Sequence, residues 1–157
     1  MQRQNGFTLI ELMIAVGLTG LLLSMAVPAK DAFVMNARQT GAINDFVSSI
    51  HLARSTAITT NTRVTVCPSA NGATCENTDW DRGWIVFSDL DSDQIVDLDE
   101  EIVSHHEGIN NLSIDSATFG QFLLYRPNGR AMNVSVNGSS GEFVVCDSRG
   151  ANRSKVM

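Results

Sequence analysis

Apolar residues run almost unbroken over positions 7–27, where the one charge is Glu11. As a helix this run is about 31 Å long at about 1.5 Å per residue. That length matches the roughly 30 Å hydrocarbon core of a bilayer. Pro28 follows, and a proline inside a helix removes a backbone donor and clashes with the preceding turn, which predicts a kink. The pattern then becomes amphipathic. Ile43, Phe46, Val47, Ile50, Ala53 and Ala57 recur at helical spacing, with Arg38, Asn44, Asp45, His51 and Arg54 largely between them. The reading is one helix from about Thr8 to about Thr59, loosened near Gly41. Its first half suits an apolar medium, and its second half lays an apolar stripe on a sheet.

From Asn61 the period changes to two. Alternating or continuous apolar stretches at 63–67, 83–87, 101–105, 112–114, 122–125, 132–136 and 142–146 predict short strands. Asn71-Gly72, Pro127-Asn128-Gly129 and Asn137-Gly138-Ser139-Ser140-Gly141 supply turns between them. Tight turns between many short strands argue for antiparallel pairing, and a long helix followed only by strands gives an α+β fold. The expected organisation is a leader at 1–6, a membrane or filament-core helix at 7–28, an amphipathic helix at 29–60 and a β-rich globular domain at 61–157.

The hexapeptide ahead of the apolar run is polar, basic at Arg3 and closed by the small residue Gly6. A secretory signal peptide has its cleavage site after the apolar core. Here the small residue precedes the core, so cutting after Gly6 keeps the helix and frees an amine on Phe7. Glu11 lies about one helical turn from that amine. A mid-bilayer acid costs on the order of 3 kcal/mol by insertion scales and marks a functional site by default. The amine of one subunit pairing with Glu11 of the next would offset that cost in a stack of helices.

Composition changes the picture in three places. The net charge of −6, or −7 without Arg3, argues against a generic nucleic-acid binder. Arg3 on the near side of the apolar run and three cysteines beyond it point to a globular part in an oxidising compartment, the periplasm of a bacterium. Charge is also uneven. Positions 76–107 hold eleven acids and one base, whereas 115–157 hold three acids and the five bases Arg126, Arg130, Arg149, Arg153 and Lys155. That basic end is a candidate phosphate contact on DNA, weighed against an ordinary mixed surface.

The acidic stretch offers a candidate metal site. Asp89, Asp91, Asp93, Asp97 and Glu100 fall at positions 1, 3, 5, 9 and 12 of a twelve-residue calcium loop, with Gln94 where such loops carry glycine. The flanks read as strands, which excludes an EF-hand, yet hard oxygen ligands at this spacing suit Ca²⁺. The competing reading is a solvated acidic loop, and no other cofactor is indicated. His105 and His106 are adjacent in a strand and point to opposite faces, which makes a shared ion difficult. Cys67 and Cys75 bracket a loop containing Asn71-Gly72 that suits a local disulfide. Bridges from either one to Cys146 stay open, because sequence does not fix connectivity. Trp80 and Trp84 read as core. No nucleophile elbow, phosphate loop or zinc-protease motif is present, so the chain does not read as an enzyme.

Gly6-Phe7-Thr8-Leu9-Ile10-Glu11-Leu12 and the apolar residues behind it resemble the leader junction and N-terminal helix of type IV pilins and type II secretion pseudopilins. The resemblance implies the pilin fold, cleavage after Gly6 by a prepilin peptidase, N-methylation of Phe7, a register-setting role for Glu11 and a helix bend at Pro28. It implies an inner-membrane protein with a periplasmic domain, whose partners are other pilins or pseudopilins. A second resemblance covers most of the chain. The order of Leu52-Ala53-Arg54-Ser55-Thr56-Ala57, Val64-Thr65-Val66-Cys67-Pro68-Ser69, Cys75, Trp80-Asp81-Arg82-Gly83-Trp84, Pro127-Asn128-Gly129 and Phe143-Val144-Val145-Cys146 is similar to the GspH/FimT branch of minor pilins and pseudopilins. The implied function is a minor pilin serving assembly or the tip of a pilus. The alternatives are DNA capture in natural transformation and a type II secretion pseudopilus. DNA-binding members of the branch close with a further strand and a Gly-Arg-rich motif. This sequence shows no such ending at Ser154-Lys155-Val156-Met157, which implies a short last strand or a missing C-terminal segment, and weak DNA binding.

Overall fold

The computed structural model describes residues 6–132, 141–148 and 155–156, without the side chains of 25–29 and 155–156. Most of the expected strand at 132–136, the turn at 137–140 and leader positions 1–5 lie outside the described residues. Helix α1 spans Leu9–Thr60. It passes through Pro28 and Gly41 without a break, so the loosening expected near Gly41 is absent. The strands are β1 Val64–Pro68, β2 Gly83–Ser88, β3 Ile102–Glu107, β4 Leu112–Asp115, β5 Leu123–Tyr125, β6 Ala131–Met132, β7 Val144–Asp147 and β8 Lys155–Val156. The chain divides into two units, Met1–Arg38 and Gln39–Met157.

In the first unit the apolar surface stays open. Phe7, Leu9, Ile10, Leu12 and Met13 are each more than 60% exposed, and exposure continues on every side of the helix to Leu23. Among the described residues no helix is long and apolar enough to cross a membrane, and positions 25–27 of the apolar run carry no described side chains. Besides Glu11, positions 9–24 hold two polar side chains, and both bond to their own helix. Thr19 Oγ1 donates to the Ala15 carbonyl at 2.7 Å, and Ser24 Oγ donates to the Leu21 carbonyl at 2.7 Å. Such back-bonding removes the hydroxyls from competition for solvent.

The second unit is built around β1. The first sheet runs β3-β2-β1-β5-β6 and the second β4-β7-β8, with every described pairing antiparallel. Strand β8 pairs with β7 through Val156 against Val144 and Lys155 against Val145. Phe46 on α1 fixes the helix to both sheets. It is fully buried and meets Trp80, Trp84 and Phe143 edge-on at ring-centroid distances of 5.4, 5.0 and 4.7 Å. Edge-to-face pairs add to the burial of area itself. Ala42, Ala53 and Ala57 extend the same stripe, so the helical periodicity predicted above is the buried face. Gln39 Nε2 donates to the Val145 carbonyl at 3.0 Å, a buried bond from α1 to β7.

Trp80 and Trp84 are core residues, as predicted, and each indole N–H has an acceptor: Gly120 O at 2.8 Å and Ser49 Oγ at 2.9 Å. Gly83 starts β2 at φ 121, where a Cβ would lie 2.6 Å from Ser69 O and 2.7 Å from His106 O. Only glycine fits both the dihedral and the space. A smaller cluster of Cys67, Ile85 and Phe87, with Cys75, Val96, Ile102 and Phe122 against it, forms a separate apolar group in the first sheet.

Candidate functional site

The N-terminal motif begins with a cap. Thr8 precedes the first helical residue, and Glu11 N–H donates to Thr8 Oγ1 at 3.3 Å while Leu12 N–H bonds to Thr8 O. Thr-x-x-Glu is the sequence signature of a capping box, and it identifies Thr8 as a contributor that the sequence reading passed over. Glu11 thus stands in the first helical turn, where the helix dipole favours a negative charge. It is exposed, and among the described residues it forms no salt bridge. Gly6 is exposed with open space around its Cα, and Phe7 is 86% exposed. Pro28 lies within α1, its side chain outside the described set.

Cys67 and Cys75 are disulfide-bonded, leaving Cys146 a half-buried free thiol in β7. This selects the local bridge among the alternatives the sequence left open. The loop inside the bridge is cross-braced. Asn71 Oδ1 accepts the N–H groups of Ala73 and Thr74, and the Glu76 carboxylate accepts from Ala70 N–H and Asn71 Nδ2.

His105 and His106 separate as strand alternation requires. A Cβ on Gly72 would touch the His105 ring at 3.5 Å, which places that ring beside the disulfide loop. His106 stacks on Trp84 at 4.2 Å and 5°, with Nε2 3.5 Å from Asp45 Oδ2 on α1.

The acidic loop joins β2 to β3. One carboxylate oxygen each from Asp89, Asp91 and Asp93 lies within 4.8 Å of the others. Asp97 and Glu100 do not join that group. Glu100 accepts Leu90 N–H at 2.7 Å and Asp97 N–H at 3.2 Å, so it braces the loop's two ends. The Asp97 carboxyl is raised above the ordinary range, first by desolvation and then by repulsion from Asp93, Asp91 and Asp99. Asp81, in the 3₁₀ turn Trp80–Arg82, is also raised, mainly by burial and further by Asp79 and Asp115.

Of the five basic candidates, Arg149 and Arg153 lie outside the described residues, and Lys155 is described only as backbone of β8. Arg126 and Arg130 are exposed and close one turn, with Arg126 N–H on Arg130 O at 3.1 Å and Gly129 N–H on Arg126 O at 2.8 Å. Arg126 Nε also turns to Met132 Sδ. Gly129 has φ 72, and a Cβ there would come within 2.8 Å of Ile58 Cδ1 and 3.3 Å of Arg54 Nε. The turn therefore packs on the end of α1, with Gly129 against Ile58 and Arg54. Arg54 was legible only as one polar position on an amphipathic helix. It also draws down the Tyr125 hydroxyl, whose pKa burial raises overall.

A family model described as "Type II transport protein GspH" matches residues 42–157, and one described as "Prokaryotic N-terminal methylation motif" matches residues 1–27. Two curated fimbrial proteins of Pseudomonas aeruginosa are each 33% identical over 91 residues, which is 58% of this chain and 55% of theirs. The chain spans about half the length of the curated relatives it matches. Two crystal forms of the Pseudomonas aeruginosa (strain PAO1) type IV minor pilin FimU, in space groups P21 and P65, have TM-scores of 0.60 and 0.56 at 17% and 18% identity. They cover 79% and 74% of this chain and 83% and 82% of those chains. That likeness is of fold: a long N-terminal helix packed on antiparallel sheet.

Proposed function

We propose that this chain, which belongs to the GspH family of minor pilins and pseudopilins, is a minor type IV pilin that enters the inner membrane by α1 and is then packed into a pilus or its tip. The observation that carries the reading is the state of positions 9–24. Their apolar side chains are open on every side, their two hydroxyls are satisfied internally, and Glu11, the one charge in the stretch, forms no salt bridge among the described residues. A helix apolar all round belongs in a membrane or a protein core. An acid in such a helix calls for an opposite charge.

Cleavage after Gly6 by a prepilin peptidase supplies that charge as the Phe7 amine, which N-methylation leaves cationic. The amine of one subunit pairs with Glu11 of its neighbour and sets the register between helices. Pro28 bends the helix where it leaves the apolar medium, and residues 61–157 face the periplasm.

Mass spectrometry of the mature protein tests the reading. The expected terminus is N-methylated Phe7; a chain still starting at Met1, or cut after residue 27, overturns it. Glu11→Ala is expected to insert normally and to lose filament incorporation.

Two other roles draw on specific observations. The description of the matched family favours a type II secretion pseudopilin, in which the same assembly chemistry drives exported proteins. Loss of pili in a deletion strain with secretion intact selects the pilus, and the reverse selects the pseudopilus. The exposed Arg126 and Arg130, on a turn whose Gly129 packs against Arg54, favour a DNA contact. Five phosphate contacts would give a log–log salt slope of at most roughly −4 to −5. Weak binding lost near physiological salt is expected, and a gel shift across salt measures it.

A further inference from the structure

Asp89 is fully buried at the end of β2. Thr65 Oγ1, from β1, donates to its Oδ2 at 2.6 Å. Its Oδ1 is equally buried and has no hydrogen-bond partner. Among the described residues two buried side-chain polar atoms lack a partner, Asp89 Oδ1 and Ser92 Oγ, and both fall in the loop at 89–100. An unpaired buried carboxylate oxygen is costly, and native proteins place a partner or an ion against it.

The loop backbone is shaped to bring more oxygen to the same place. Ser92 at φ 73 and Gln94 at φ 63 are left-handed, a conformation that non-glycine residues adopt at a cost. These two residues alternate with Asp91 and Asp93, whose carboxylates converge on that of Asp89. Asp91 Oδ1 accepts Asp93 N–H at 3.2 Å, and Asp93 Oδ1 accepts Ile95 N–H at 2.8 Å, so each side chain is held by its own turn. The mutual oxygen separation, within 4.8 Å, is what ligands about 2.3–2.6 Å from one shared ion permit.

We propose that Asp89, Asp91 and Asp93 hold one Ca²⁺ at the junction of β2 with the acidic loop. An all-oxygen donor set selects a hard cation. Mg²⁺ demands near-ideal octahedral geometry at about 2.0–2.1 Å and sheds water reluctantly, so a loop offering three carboxylates of unequal burial favours the larger ion. A merely solvated acidic loop would keep its carboxylates in water, whereas Asp89 is sealed from it. The ion would tie the loop to β1 through Asp89 and Thr65. This inference does not depend on which filament the chain joins.

The test uses the full chain in detergent, stripped with EGTA and titrated calorimetrically with CaCl₂ and, in parallel, MgCl₂. One Ca²⁺ per chain is expected, with a Kd of about 10⁻⁴–10⁻³ M, the range of extracellular modules, and a raised Tm. Asp91→Asn and Asp93→Asn are each expected to weaken Ca²⁺ at least tenfold. Asp99→Asn, the same charge change elsewhere in the loop, is expected to stay within twofold of the parent. No heat and no Tm shift at millimolar Ca²⁺ overturns the proposal. So does equal weakening by Asp99→Asn, which would mean diffuse screening, or Mg²⁺ binding as tight as Ca²⁺.

Discussion

Two stretches of one helix, positions 9–24 and 39–60, differ in how their apolar surface is used. The first has open apolar side chains on every side. The second buries a stripe of Ala42, Phe46, Ala53 and Ala57 and exposes a mostly polar face, on which Leu52 and Ile58 are apolar. Helical geometry is the same in both, so apolar content alone does not say what a helix packs against. A stripe implies a partner within the chain, and an apolar surface on every side implies a partner outside it.

The largest expected break in that contrast is Phe46→Ala. It removes a ring that touches both tryptophans and Phe143, and it should cost about 3–5 kcal/mol, a large share of the roughly 5–15 kcal/mol by which domains are stable. Denaturant unfolding followed by tryptophan fluorescence measures it. Leu22→Ala in the first stretch should leave that transition unchanged, and an equal loss from both would erase the distinction.

Next in size is the disulfide. Reducing Cys67–Cys75, or Cys75→Ser, should lower stability by about 2–3 kcal/mol for so short a loop. The same unfolding curve in reductant reads it. An unchanged midpoint would mean that the hydrogen bonds of Asn71 and Glu76 hold the loop unaided.

Gln39→Leu comes third, at the start of the unit Gln39–Met157. It removes the buried donor to Val145 O and should cost about 1–3 kcal/mol, read by thermal melting. A smaller change would show the helix end to be held by apolar packing alone.

The smallest effect is at Asp81. Its folded pKa is raised above 3.8, so the folded state holds this proton more tightly than the unfolded state. The group therefore adds stability below its unfolded value and loses it as pH rises through the folded value. Asp81→Asn should gain less than about 0.5 kcal/mol at neutral pH, solvent screening keeping the effect small. The gain should shrink as pH falls toward 3.8 and vanish well below it, which paired melts at neutral and strongly acidic pH would detect.

What the sequence exposed best was local. The helix boundaries, the strands expected at 63–67, 83–87, 101–105, 112–114, 122–125 and 142–146, and the Asn71-Gly72 loop all come from periodicity and turn chemistry. Each agrees with the structure within about two residues, whereas most of the strand expected at 132–136 lies outside the described residues. The opposite facing of His105 and His106 followed from strand pleating alone. The partition into two sheets was not legible, because the pairing of β1 with β5 and of β4 with β7 joins residues far apart in the chain. The burial of Asp89 was hidden for the same reason. In sequence it is one acid among many, and only the approach of Thr65 from β1 sets it apart. Arg54 and Ile58 meet the turn at the left-handed Gly129, a contact that helical periodicity does not encode.

The position of β1 between β2 and β5 also dictates an order of folding. The β1–β2–β3 segment is a succession of neighbours, and its closures are short. The β1–β5 ladder has to bring Tyr125 back to Val64, and non-local pairings form slowly. As the chain is delivered N-terminus first, one edge of β1 stays bare until residues 123–125 have arrived, and a bare edge is a template for wrong pairing. The Cys67–Cys75 bridge lies wholly within the part already delivered and closes across the end of that same strand. A chain lacking it should therefore fail first in yield, by aggregating before β5 docks.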